Sequence, residues 1–239
     1  MKAIILAGGK GTRLAPYTTV LPKPLMPVDD RPILDIVIHQ LVRHGIEEII
    51  LSVGYLAELL EAYYRDGSRF GVPISYAREP EPLGTAGPVA LIAQQYGLNE
   101  TFLMMNGDVL TSIDYSHLLA YHREQKGLLT IAMHTKHQKI DLGVMSINDK
   151  NELIDYVEKP VVDYCVSMGI YVFEPGVLAH IEPGVRLDFN HLVLRLLERN
   201  QRVIAYPCRD FWLDIGRPDD YQQATDTYIK HKSMFLGEE

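Results

Sequence analysis

Gly8-Gly9-Lys10-Gly11-Thr12-Arg13 and, ten residues past Arg13, Lys23 between Pro22 and Pro24 are the residues of this chain best suited to chemistry. Glycine lets the main chain approach a ligand closely, and successive N–H groups in a tight turn can point at phosphate oxygens. Arg13 and Lys23 add positive charge to the same mouth. The flanking prolines restrict the backbone around Lys23 and can aim its side chain. The implied chemistry is the holding of a polyphosphate. Two familiar glycine motifs do not describe this loop. A dinucleotide fingerprint requires a third glycine where the chain has Leu14, and a Walker loop requires Gly-Lys-Ser/Thr where the chain has Gly-Lys-Gly-Thr. From this stretch alone, a glycine turn without a ligand and an exposed lysine in a proline turn remain the plain alternatives.

Carboxylates at two further places complete the chemistry. Asp108 closes Asn106-Gly107-Asp108 after an apolar run, and Asp214 follows Phe211-Trp212-Leu213. Magnesium prefers hard oxygen ligands and commonly takes one or two carboxylates together with substrate phosphates. Two strand-end aspartates facing a polyphosphate loop would meet that need, although a single Asp after a strand is more often a turn former or helix cap. Pro80-Glu81-Pro82-Leu83-Gly84-Thr85-Ala86-Gly87 reads as a rigid loop entering a helix. It can form a slot for a planar base, or simply a helix N-terminus with Thr85 as its cap. Glu158-Lys159-Pro160 sets an acceptor and a cation at a strand end, suited to sugar hydroxyls and a phosphate, or equally to an exposed salt-linked turn. Gly169 interrupts the strand Cys165 to Phe173, which marks close approach of a ligand or another backbone. The histidines lack metal-ligand spacing, no Gly-x-Ser-x-Gly elbow is present, and neither cysteine has an activating neighbour.

The elements that must position these residues alternate. Ala3 to Ala7 reads as a buried strand, Pro32 to His44 as a helix with Asp29 or Asp30 as its cap, and Glu48 to Val53 as the next strand. Leu56 to Arg65, Pro88 to Tyr96 and Ser116 to Gln125 read as helices. Ile74 to Ala77, Phe102 to Asn106 and Leu128 to His134 read as strands. Such alternation predicts parallel strands with right-handed crossovers, a doubly wound, mostly parallel (Rossmann-like) α/β sheet. Ligands of such sheets sit beyond the carboxyl ends of the strands, where Gly8, Gly54 and Asp108 all fall. After Thr135 the rhythm changes. Gly143 to Ile147, Leu153 to Val157 and Val166 to Phe173 are strand-like without long helices between them, which predicts a small antiparallel extension carrying a second half-site. A helix near Phe189 follows, then short strands at Val203 to Tyr206 and Phe211 to Leu213, a closing helix over Pro218 to Ile229, and a polar tail from Lys230 that is expected to fray.

The formal net charge of −8 over 239 residues argues against nonspecific binding to nucleic acid or an anionic membrane. Cys165 and Cys208 cannot build a disulfide framework and read as reduced core residues of a cytoplasmic protein. No apolar run reaches the roughly twenty residues of a membrane span, and the opening run is too brief for a signal-peptide core.

Taken in order, Leu6-Ala7-Gly8-Gly9-Lys10-Gly11-Thr12-Arg13-Leu14, Pro22-Lys23-Pro24, Leu83-Gly84-Thr85-Ala86-Gly87, Asn106-Gly107-Asp108, Glu158-Lys159-Pro160 and Trp212-Leu213-Asp214-Ile215-Gly216 resemble the sugar-1-phosphate nucleotidylyltransferases. The resemblance covers nearly the whole chain. It implies transfer of a nucleotidyl group from an NTP to a sugar 1-phosphate, with release of pyrophosphate. It assigns Gly8, Gly9, Gly11, Thr12 and Arg13 to the nucleotide phosphates, with Leu6 and Ala7 beside them. Arg13 and Lys23 would be catalytic cations, joined by Asp108, while Gly84, Glu81 and Thr85 would meet the base. Asp108 and Asp214 would bind Mg2+, and Gly143, Glu158, Lys159 and Gly169 would hold the sugar phosphate. One domain over residues 1–239 is expected: 1–135 mainly for the nucleotide, 136–217 mainly for the sugar phosphate, and 218–239 as closing helix and tail. The segments around Gly84 and Trp212 look most like mannose-1-phosphate guanylyltransferases, so GTP is the expected nucleotide, with UTP, dTTP or CTP as alternatives. A homo-oligomer is compatible with the resemblance. The chain stops 25 residues after Asp214, so the left-handed β-helix of longer members is not expected.

Two rivals belong to other classes. A glycosyltransferase shares the fold and metal site but uses an Asp-x-Asp pair, whereas Asn106-Gly107-Asp108 has asparagine first. A non-catalytic sensor of nucleotide sugars could dispense with Lys23 and the aspartates, which this chain keeps.

Overall fold

Apolar runs without polar interruption make strands that must be covered on both faces, and this chain supplies three such runs near its start. The computed structural model describes residues 1–237. In chain order it has β1 (Lys2–Leu6), β2 (Pro27–Val28), β3 (Arg31–Pro32), α1 (Ile33–Arg43), β4 (Glu48–Val53), α2 (Ala57–Tyr64), β5 (Ile74–Arg78), α3 (Pro88–Tyr96), β6 (Phe102–Asn106) and β7 (Val109–Thr111). Then follow α4 (Tyr115–Gln125), β8 (Leu129–Lys139), β9 (Gly143–Ile147), β10 (Leu153–Glu158), β11 (Val161–Phe173), α5 (Phe189–Glu198), β12 (Val203–Cys208), β13 (Trp212–Asp214), α6 (Pro218–Lys230) and α7 (Lys232–Leu236). No helix among the described residues is long and apolar enough to cross a membrane.

Seven strands form the main sheet in the order β12-β8-β11-β6-β1-β4-β5. β1 pairs in parallel with β4 and β6, β4 with β5, and β8 with β12. The side-chain period of two divides each central strand between two cores. Ala3 and Ile5, Ile49 and Leu51, and Leu103 and Met105 face the layer of α1, α2 and α4. Ile4, Ile50, Phe102 and Met104 face α3 and α5. A third core gathers Leu14, Met26, Ile33, Leu110, Ile215, Tyr228 and Phe235, tying the glycine loop to the C-terminal helices.

Several expectations are corrected. The segment around Val166 to Phe173 does not join the antiparallel extension. As β11 it lies inside the main sheet, antiparallel to both β6 and β8. Local periodicity carries no information about which strand lies beside which, and β11 displaces β8 from the neighbour position that simple alternation would give it. The separate antiparallel pairs are β9 with β10, β7 with β13 and β2 with β3. Neither Asp29 nor Asp30 caps α1, whose N-cap is Pro32; both aspartates instead pair with Lys232. The tail does not fray over its described part, because α7 inserts the fully buried Phe235 into the third core. Residues 238–239 of that tail lie outside the described residues. Cys208 is buried, but Cys165 is exposed on the outer half of β11, so it is not a core residue.

Candidate active site

β1 ends at Leu6, and the chain is passed at once to its neighbour, with the Ala7 N–H donating to Ser52 O at 2.8 Å. Gly8 and Gly54 then touch backbone to backbone: a Cβ on Gly8 would lie 3.2 Å from the Gly54 nitrogen. Gly11 has φ +60°, a conformation that favours glycine, and a Cβ there would meet Thr18 Cγ2 at 2.9 Å and Lys23 Cβ at 3.3 Å. The Thr18 hydroxyl donates to Gly11 O at 2.8 Å. The glycine loop therefore rests on Thr18 and on the stem of Lys23, and buried Leu14 pins its far end. Gly9 has no neighbour within 4 Å of a Cβ position and presents open backbone.

The aspartates arrive by pairing of two three-residue strands. β13 runs antiparallel to β7 with Asp214 opposite Val109, and the Ile215 N–H donates to Asp108 O at 3.1 Å. Lys23 Nζ is ion-paired with Asp108 Oδ2, the lysine being only 8% exposed. Asp108 Oδ1 is buried with no hydrogen-bond partner. Burial, and next the negative charge of Asp108, raise the Asp214 carboxyl above the usual carboxylate range, while Lys23 and Arg13 oppose the rise. Arg13 is held over Gly216, where a Cβ would lie 3.1 Å from its Nη1. Two carboxylates and two cations from three distant stretches of sequence thus converge at one end of the glycine loop. Gly216→Val should push the Arg13 guanidinium from this seat. We expect about a tenfold or greater loss of kcat/KM with an unchanged melting temperature; a loss below twofold would show that Gly216 does not position Arg13.

A cavity of about 820 Å³ opens above this cluster. Of the residues expected to hold nucleotide phosphate, Leu6, Ala7, Gly8, Gly9, Gly11, Thr12, Arg13, Lys23 and Asp108 line it. Gly84 and Thr85 line it as well. Thr85 does not cap the helix that follows it, since the N-cap of α3 is Gly87; its Oγ1 accepts the Phe189 N–H at 2.7 Å and so caps α5 instead. Glu81 is exposed and absent from the lining, where Pro82 stands in its place. Asp214 is not in the lining either and meets the cavity only through its neighbour Asp108.

Sequence reading missed four lining residues that matter. Glu79 bridges three elements, accepting the Ser52 hydroxyl at 2.8 Å on one oxygen and the Leu83 N–H at 2.8 Å on the other. Asn106 lies against Gly169, whose φ is +73° and whose Cβ position is 2.6 Å from the Asn106 side-chain nitrogen. Arg186 and Asp188 reach the cavity from the segment preceding α5. Glu79, a carboxylate just past the end of β5, and Asn106, the last residue of β6, carried a signal that the strand-end rule could have caught.

The candidate sugar-phosphate residues are not all brought to this cavity. Gly169 borders it through Asn106. Gly143, Glu158 and Lys159 sit together at one end of the β9–β10 hairpin, where Glu158 pairs with Gly143, and none of the three lines the cavity. Gly143 has a local role: a Cβ there would fall 2.0 Å from the Tyr156 hydroxyl, which donates to Glu158 Oε2 at 2.9 Å.

The donor set bears on a metal. Among the described residues no three His, Cys, Asp or Glu side chains are grouped to hold an ion. Asp108 and Asp214 form a pair, and Asp108 keeps one buried oxygen free of any donor. Such a set suits a hard divalent ion that takes its remaining ligands from substrate phosphate and water.

Residues 2–231 match the family model described as nucleotidyl transferase. The chain is 36% identical over 242 residues to a UTP–glucose-1-phosphate uridylyltransferase of Synechocystis sp., covering 94% of this chain and 62% of that protein. It is 35% identical to the mannose-1-phosphate guanylyltransferase catalytic subunit beta of Danio rerio, covering 96% of this chain and 65% of that one. The chain thus spans less than two thirds of the length of these curated relatives. A crystal structure of a candidate glucose-1-phosphate thymidylyltransferase from Bacillus anthracis, in complex with a sucrose, superposes with a TM-score of 0.76 at 26% identity, covering 95% of this chain and 94% of that chain. The glycine loop, the buried Lys23–Asp108 pair and a family match over nearly the whole length lead to one conclusion: the chain belongs to the nucleotidyl transferase family.

Proposed function

We propose that this protein transfers a nucleotidyl group from an NTP to a sugar 1-phosphate. A phosphate oxygen of the sugar 1-phosphate attacks the α-phosphorus of the NTP; the new O–P bond forms as the bond to the β-phosphate breaks, and pyrophosphate leaves with that electron pair. The attacking oxygen is already anionic, so no side-chain nucleophile or strong base is required. Positioning and neutralisation of charge then supply the catalysis. Gly8, Gly9 and Gly11 present backbone to the phosphates, and Arg13 and Lys23 offset the charge that grows on the leaving pyrophosphate. Asp108 holds Lys23 in place. Asp108 and Asp214 would hold Mg2+, which when bound supplies a fixed positive charge against the phosphate oxygens. In this reading residues 1–135 serve mainly the nucleotide, and 136–217, with Gly143, Glu158, Lys159 and Gly169, mainly the sugar phosphate.

The observation that carries the proposal is the meeting of Arg13, Lys23 and Asp108 in the lining of the glycine-lined cavity, with Asp214 beside them. The guanylyltransferase relative supports GTP with mannose 1-phosphate. The uridylyltransferase relative supports UTP with glucose 1-phosphate as the second reading. Pyrophosphate release, measured with magnesium, five NTPs in turn and a panel of sugar 1-phosphates, tests both. We expect the strongest signal from GTP with mannose 1-phosphate. Release only with UTP, dTTP or CTP would overturn the choice of guanine and keep the reaction class; no release in any combination would overturn the class.

A further inference from the structure

Charges of both signs line the cavity: Lys10, Arg13, Lys23 and Arg186, with Glu79, Asp108 and Asp188. Asp108 is ion-paired with Lys23, and Glu79 Oε1 lies 3.4 Å from the Cβ position of Gly8. With the triphosphate on the glycine loop, as in the proposed reaction, the base falls toward the Gly84 loop, against which Asp188 lies. Both oxygens of Glu79 already accept internal hydrogen bonds, which fix its carboxylate to Ser52 and Leu83.

Asp188 is differently placed. It is the N-cap residue of α5, a position where an Asp side chain ordinarily accepts an N–H of the first turn. Here it makes no such bond. The Phe189 N–H is taken at 2.7 Å by Thr85 Oγ1, reaching across from the Gly84 loop. That loop is clamped to the same segment by three backbone bonds: Ala86 N–H and Gly87 N–H donate to Leu187 O at 2.9 and 3.0 Å, and Leu187 N–H donates to Leu83 O at 2.9 Å. The clamp holds Asp188 Oδ1 against Gly84, 2.6 Å from where a Cβ would stand. Among the described residues the Asp188 carboxylate accepts no hydrogen bond, and its one charged neighbour is Arg186, an ion pair at 3.8 Å with the guanidinium largely exposed. Asp188 is thus a positioned pair of acceptors with no hydrogen bond of its own, beside the Gly84 loop of the cavity.

We propose that Asp188 reads the Watson–Crick edge of the base and selects guanine. The assignment rests on the nucleotidylyl-transfer reading for the presence of a nucleotide, and on the geometry above for its selectivity. A carboxylate is acceptor only. Guanine alone among the five common bases offers two adjacent donors on that edge, N1–H and the 2-amino group, which match two carboxylate oxygens. Uracil and thymine offer one N–H between two carbonyls that a carboxylate repels. Adenine and cytosine set a ring-nitrogen acceptor beside their amino group. A site built around donors rejects an analogue that lacks them, because its own polar group is then left unpaired.

The test compares GTP with ITP, which differs only in lacking the 2-amino group, in the wild-type protein and in Asp188→Asn. The Asp188 side chain makes no capping bond and asparagine keeps its shape, so α5 should be kept, and a thermal melt checks this. Wild type should favour GTP over ITP by about 10- to 100-fold in kcat/KM. Asp188→Asn, which presents one acceptor and one donor, should bring that ratio below threefold and raise UTP relative to GTP by at least tenfold. A wild-type ratio within twofold, or a wild-type ratio retained in Asp188→Asn, would overturn the proposal. Calorimetric titration of both proteins with magnesium–GTP and magnesium–ITP reads the same preference without turnover. A protein that binds GTP over ITP through Asp188 yet releases no pyrophosphate would refute the transfer reaction and leave the base reading standing. Failure of the ratio in an active enzyme would do the reverse.

Discussion

Asparagine in place of Asp108 or Asp214 is expected to lower turnover by about two to four orders of magnitude, since each change removes carboxylate charge at the phosphate end with little change of shape. The two variants should part company in stability. Asp214 is held protonation-prone by burial and by the charge of Asp108, so its folded carboxyl lies above the unfolded value. A raised folded value means that its contribution is fully present below the unfolded pKa and is lost as pH rises through the folded one. At neutral pH, without metal, the ionised Asp214 therefore costs stability. Asp214→Asn should melt higher than wild type in chelator at pH 7, with the gap narrowing as pH falls toward the carboxylate range. Asp108→Asn should melt lower, because Lys23, only 8% exposed, loses its charged partner, a cost of about 1–3 kcal/mol. Scanning calorimetry across pH, beside steady-state rates, separates the cases. Near-normal turnover in either variant would remove these aspartates from the mechanism, and a lower melt for Asp214→Asn would refute the electrostatic account of its site.

Lys23→Met should cost about two to four orders of magnitude in kcat/KM while keeping the volume of the side chain. The stem of Lys23 underlies Gly11, and its ammonium is spent on Asp108, so position and charge are both set by packing. Lys23→Arg should not restore the rate to within tenfold, because the broad guanidinium does not take the buried place that the ammonium holds against Asp108. The loss of pairing should show as coupling: adding Asp108→Asn to Lys23→Met should lower the melting temperature less than it does alone, since the carboxylate it removes is already uncompensated. Rates in Lys23→Met within fivefold of wild type would assign the lysine a structural part only. Additive melting shifts would show that the ion pair contributes nothing.

Much of this was readable from local pattern. Alternating apolar runs and glycines placed β1, β4 and β6 within a residue of their observed bounds, because a strand covered on both faces must be apolar throughout and must end where polar turn residues begin. Gly8 and Gly11 announced a tight loop, Gly8 because a Cβ would crowd Gly54 at 3.2 Å and Gly11 because its positive φ and the nearby Thr18 leave little room for a side chain. Misreadings fell where a residue's partner lies far along the chain. Thr85 is a cap, but for α5, a hundred and four positions away. Asp29 and Asp30 bind Lys232 from the C-terminal helices. Gly169 does mark a close approach, to Asn106 from a neighbouring strand.

By itself the sequence determined the strands, the phosphate-suited loop and the residue types at its mouth, since these follow from backbone sterics and from the burial demands of short segments. Tertiary structure alone decided that β11 would separate β6 from β8, that β7 and β13 would pair and set Asp214 beside Asp108, and that Asp188 would be freed from its cap to face the cavity. Each of these is a contact between segments whose own sequences are equally content with other neighbours. Only the packing of the whole chain around shared cores breaks that tie.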